Sequence, residues 1–181
     1  LKGTEAVETL DLSEKRLAFA SAIFIAKCIE FNAVMTNLDL SNNHLCCGSE
    51  GSHTSSGITA IAEALKVSAV VKSCNVLMNG LDVESATMLA KVGTKKSIML
   101  SGIKHDQTEA DFSSSQPGER LQRLQLLADG MLIAADLEFN TVLSSIKLDG
   151  AALPVKQLKG TEPVNSLDLS YKQLGHLSAI C

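Results

Sequence analysis

Tryptophan is absent from these 181 residues, tyrosine occurs once and phenylalanine five times. A chain with so few rings must build its core from aliphatic side chains, which make up most of its 45% hydrophobic share. Only three prolines and twelve glycines are present, which excludes collagen-like and proline-rich low-complexity classes. A basic excess is missing too. Sixteen Lys and Arg stand against twenty Asp and Glu, for a formal net charge of −4 and a pI near 5.5. With few aromatics for bases to stack on, nucleic acid is excluded as the main partner. No run reaches the roughly 18 apolar residues of a membrane span; Leu132 to Leu137 is interrupted by Asp136.

The five cysteines (Cys28, Cys46, Cys47, Cys74, Cys181) are odd in number and show no C-x-x-C spacing, and there is no N-x-[ST] sequon. This pattern reads as free thiols in the cytoplasm or another reducing compartment. G-x-S-x-G, Walker A, G-x-G-x-x-G and H-E-x-x-H are all absent, so no enzyme and no cofactor are expected. His44, Cys46, Cys47 and His53 form the one cluster that resembles metal ligands. Adjacent cysteines are poor geometry for one tetrahedral ion, so the segment reads as an exposed insertion and no metal is expected. Cys28 and Cys74 fall at apolar positions and read as buried small hydrophobes.

What the chain has in abundance is repetition. Leu1 to Phe24 returns as Leu158 to Cys181, offset by 158 − 1 = 157, with 15 of 24 positions identical. A shorter unit lies inside, with the kernel L-x-L-x-x-N-x-L. Leu38-Asp-Leu40-Ser-Asn-Asn43-His-Leu45 fits fully and Cys74-Asn-Val76-Leu-Met-Asn79-Gly-Leu81 nearly so. Leu10 to Leu17, Ala110 to Phe112, Ile146 to Leu153 and Leu167 to Leu174 are looser copies, stepping by 28, 36, 36, 36 and 21 residues. Helical patterns follow: Ala18 to Asn32, the Ile58 to Leu65 stretch, the Val83 to Ala90 stretch with Asp82 as N-cap, and Glu119 to Asn140.

A kernel followed by a helix resembles the leucine-rich repeat of the ribonuclease-inhibitor-like class, and the resemblance covers essentially the whole chain. It implies an α/β leucine-rich repeat solenoid with a curved parallel β-sheet on the concave face and helices on the convex face. Residues 1–181 are then one solenoid, with units starting near 7, 35, 71, 107, 143 and 164, and a piece of a longer array. Its open ends would be covered by more chain or by a neighbouring subunit. In that family the kernel Asn satisfies backbone groups at the turn, which implies the same for Asn43 and Asn79.

Side chains alternate along strands about 4.8 Å apart, so the residues beside the kernel leucines form columns on the concave face. The central column reads Asp11, Asp39, Asn75, Asp111, Lys147 and Asp168. The flanking columns read Thr9, Asn37, Ser73, Glu109, Ser145, Ser166 and Ser13, Ser41, Leu77, Ser113, Asp149, Ser170. These are the candidate partner-binding residues, although L-D-L-S also reads as repeat filler that keeps a sheet soluble. The expected function is a non-catalytic protein–protein interaction scaffold for one or more proteins. The alternatives are a structural subunit embedded in a large ciliary or organellar assembly, and, from the resemblance, a regulator of a small GTPase or a nuclease.

Overall fold

The computed structural model describes residues 7–48, 51–112, 122–148 and 150–170, with side chains from 127 onward in the helix that opens at 122. The elements run β1 (Thr9–Asp11), α1 (Phe19–Glu30), β2 (Asn37–Asp39), α2 (Ser56–Val67), β3 (Ser73–Asn75) and α3 (Val83–Lys96). They continue with β4 (Glu109–Asp111), α4 (Gln122–Phe139), β5 (Ser145–Leu148), β6 (Ala151–Pro154) and α5 (Val155–Leu158).

The first half is regular. β1, β2 and β3 pair in parallel, with Leu10, Leu38 and Cys74 side by side. Leu38, Leu40, Cys74 and Val76 are buried against the inner faces of the helices, where Ala22, Ile25, Ile29, Ile58, Ile61, Leu65 and Leu89 recur at helical spacing. None of the five phenylalanines belongs to the fully buried core, and Phe24 and Phe31 are exposed. α1 packs on α2, α2 on α3 and α3 on α4.

The turns leaving β2 and β3 are closed by asparagine. The Asn43 amide donates to the carbonyls of Leu12, Leu40 and Ser41, and its oxygen accepts from Lys15 N and Leu17 N. Asn79 repeats this one layer on, donating to Leu40, Val76 and Leu77 and accepting from Leu45 N. Each amide therefore ties two adjacent layers together. Just before it, Asn42 and Met78 hold φ of 53° and 58°, and Glu14 holds 56° at the matching place after β1. The left-handed turn thus repeats with the kernel, whatever residue occupies it.

The second half overturns the expected fold. The described strands form two three-stranded sheets, β1-β2-β3 and β4-β5-β6, not one curved parallel sheet, and the second sheet is mixed. Two local causes account for this. After α3, Met99 bridges Ser73 in parallel, with Cys74 N donating to Met99 O (2.8 Å) and Val76 N to Leu100 O (3.0 Å). The place beside β3 is then taken, so β4 starts a new sheet by pairing with β5, Ala110 beside Ile146. The second cause is Gly150 at φ 83°, which turns the chain back on itself. Ala151–Pro154 runs antiparallel to Ser145–Leu148 instead of leading into a full helix, and α5 is a single turn. β6 covers the edge where a sixth kernel would pair. Leu167–Leu169 accordingly forms no strand, and Leu167 stands exposed, not inward as the kernel pattern predicts. No helix among the described residues is long and apolar enough to cross a membrane.

Candidate functional site

The predicted columns are split by the break between the sheets. Thr9, Asn37 and Ser73 lie in one row across the first sheet, and Asp11, Asp39 and Asn75 in the next. Glu109 with Ser145, and Asp111 with Lys147, form shorter rows on the second sheet, where Lys147 Nζ reaches Asp111 Oδ2 at 3.3 Å. Leu77 does not face outward, because its side chain is buried in the core. Ser166, Asp168 and Ser170 lie on no strand and so join no column, since β6 has taken the edge they needed. Ser113 and Asp149 lie outside the described residues.

The serines after each Asp have a local role. Asp11 Oδ1 accepts from Ser13 N (2.8 Å) and Ser13 Oγ (2.7 Å). Asp39 Oδ1 does the same with Ser41, at 2.8 and 2.6 Å. Asp168 Oδ1 accepts from Ser170 N at 2.8 Å although no strand is present there. The Asp-Leu-Ser turn is therefore made by the tripeptide itself and not by its place in a sheet. These bonds, those to the Ser13 side chain first, hold the Asp11 carboxyl below its ordinary value. Asp39 goes further: its second oxygen accepts from Asn75 Nδ2 at 3.1 Å, which links the central row across two strands.

A cleft of about 530 Å³ opens on this face. Thr9, Asp11, Asn37, Asp39, Ser73 and Asn75 form its floor, and Lys72, Gly102, Lys104, His105 and Asp106 form its wall. Apart from Lys72, which leads into β3, the wall is the chain leaving the Met99 bridge, a segment that kernel spacing missed. Gly102 lets it come close. Its φ is 80°, and a Cβ there would stand 2.8 Å from Asn75 Nδ2. His105 Nε2 lies 3.3 Å from Lys72 O, and the imidazole ring leans on Phe139, with centroids 6.2 Å apart. Carboxylates and lysines thus face the same opening.

Behind the face, α4 contributes two buried carboxyls. Asp136 is fully buried and accepts from Leu100 N (2.8 and 3.0 Å), Ser101 N (2.9 Å) and Ser101 Oγ (2.6 Å). Asp129, one heptad earlier, accepts from Met78 N at 3.0 Å. Burial pushes both up to about 6, against the hydrogen bonds that favour the charged form. Asp136 fixes the backbone just before the cleft wall, and Asp129 joins Asn79 in holding the turn after β3. In the sequence, two Asp seven residues apart within the apolar stretch from Leu126 to Leu137 were the available signal.

The His/Cys cluster is the exposed insertion expected only in part. His44 and His53 are exposed, but Cys46 is buried and the segment is pinned, with Cys47 bridging His53 and His44 bridging Ala18. Burial, then the charge of Asp82, pushes the Cys46 thiol up to about 12, and burial does the same to Cys74. Such thiols stay protonated and are poor nucleophiles and ligands. Among the described residues no group of three or more His, Cys, Asp and Glu could hold a metal ion. The expected Asp82 cap is present, with Oδ1 accepting from Ser85 N at 2.7 Å. A scan against protein-family models, a search of curated proteins and a search of solved structures found no match to this chain.

Proposed function

We propose that the protein is a non-catalytic protein-interaction module whose partner surface is the polar face of β1–β3. The observation that carries this reading is the cleft on that face, which sets Asp11 and Asp39 opposite Lys72 and Lys104. Mixed charge of this kind suits a polypeptide segment that brings both donors and acceptors. The face supplies no activated nucleophile. Both Asp39 oxygens already accept hydrogen bonds, and the buried thiols are held protonated. Cys28, Cys46, Cys47 and Cys74 are free thiols, which fits work in a reducing compartment.

The test is affinity capture with the wild type and with two variants of exposed cleft residues, Asn37→Arg and Lys104→Glu, whose unfolding midpoints are checked in parallel. The reading expects a stoichiometric protein partner whose binding weakens at least tenfold in both variants. Undiminished capture by well-folded variants contradicts it.

A further inference from the structure

Val7-Glu-Thr-Leu-Asp-Leu-Ser13 and Val164-Asn-Ser-Leu-Asp-Leu-Ser170 share five of seven residues, yet the structure uses them differently. The first holds β1, which pairs with β2 on one side only: Asn37 N donates to Glu8 O (3.0 Å) and Leu12 N to Asp39 O (2.8 Å). No strand among the described residues pairs with the outer edge of β1. The alternation of a parallel ladder turns the amides and carbonyls of Thr9 and Asp11 toward that edge. Such an edge is a template for a further strand. At the same end of the molecule Leu10 and Leu12 are only half-buried, α1 carries exposed Ile23 and Phe24, and Phe31 just after it is exposed.

The second copy lies on no strand. Val164 to Asp168 are exposed, and only Leu169 rests against the core. The segment leaves from a fixed point, because Lys159 Nζ donates to Leu137 O (2.6 Å) and Asn140 O (2.8 Å) at the end of α4. Asp168 already makes the turn to Ser170 that Asp11 makes to Ser13. The residues that would enter a sheet are therefore prepared for one, with Leu167 and Leu169 spaced to continue the Leu10 and Leu12 rows.

We propose that residues 164–170 of one molecule add in parallel to the outer edge of β1 of a second copy of this chain. Ser166 comes beside Thr9, Leu167 beside Leu10 and Asp168 beside Asp11. The aspartates then neighbour each other as Asp11 and Asp39 already do across β1 and β2. Because the two surfaces in contact are different, the contact is heterologous, and it closes as a reciprocal dimer or a ring or grows as an open chain according to the angle between the two copies. It uses the outer backbone edge of β1, whose Thr9 and Asp11 side chains also line the cleft, and does not depend on the function proposed above.

Light scattering on the full chain over a concentration series reads the association. A dimer or larger species whose share grows with concentration is expected. Leu167→Asp should weaken assembly at least tenfold without moving the melting temperature, because Leu167 is exposed and on no strand. Mixing a Thr9→Cys chain with a Ser166→Cys chain should give a disulfide between those two positions, identified in peptides by mass spectrometry. A monomer at every concentration overturns the proposal, as does assembly unchanged by Leu167→Asp. A cross-link from Ser166→Cys to Asn37→Cys also overturns it, since it would place the segment where β1 now lies.

Discussion

Asn43 and Asn79 each hold backbone from two neighbouring layers through one buried amide. Truncating either strands several buried carbonyls, each costing about 1–3 kcal/mol. Asn79→Ala should therefore lower the unfolding free energy by about 3 kcal/mol in urea titration. Asn79→Asp should not rescue it, because a carboxylate cannot donate to Leu40, Val76 and Leu77. Gly102 makes a second test. A side chain there meets both a positive φ and the Asn75 amide. Gly102→Ala should cost about 1–2 kcal/mol, and in a crystal structure of the variant Asn75 should have moved and the cleft narrowed. Both positions were unequally legible beforehand. The kernel asparagines stand at a spacing that can be read, whereas Gly102 gains its meaning from a chain crossing that no local pattern records.

At the scale of elements, α4 is the least expected participant. Its sequence shows only a helical pattern, yet Asp129 and Asp136 serve the turns of the first sheet. Their carboxyls sit at about 6 in the fold, above the 3.8 of an open chain. Between these values the folded state keeps protons that the unfolded state has released. The associated stability is full below about pH 4 and is lost as pH rises through 6. Lowering pH from 7.5 to 5 should thus raise the unfolding free energy by about 1 kcal/mol for each carboxyl. Asp11 and Asp82, held below their ordinary value, act in the opposite sense and only at lower pH. Urea midpoints across this range check the slope, and Asp136→Asn should flatten it.

Helices α1 to α3 were readable because their buried residues recur at 3–4 spacing and Asp82 caps the third. The β5–β6 hairpin was misread although the chain advertises it. Asp149-Gly150 between alternating Ile146, Leu148, Ala151 and Leu153 is a strong hairpin sequence, and the kernel alignment laid over it concealed the turn. Gly150→Val, which cannot relax at φ 83°, should unfold β5–β6 ahead of the first sheet, seen as early amide exchange confined to residues 145–154.

For the whole molecule, repetition in the sequence exceeds repetition in the fold. Six kernels along the chain predict one continuous row of parallel strands. The Met99 bridge inserts itself after β3, and the hairpin closes the second sheet. The cleft is a product of that break, because its wall, Gly102 to Asp106, occupies the space opened where the ladder stops. The measurement that tests this most directly is the pattern of long-range nuclear Overhauser contacts between strand protons in a uniformly labelled sample. The account predicts contacts from Ser73 and Cys74 to Met99 and Leu100, antiparallel contacts between Lys147 and Ala152, and none between Cys74 and Ala110. A Cys74–Ala110 contact, together with loss of the Lys147–Ala152 pair, would restore a single continuous sheet and contradict the account.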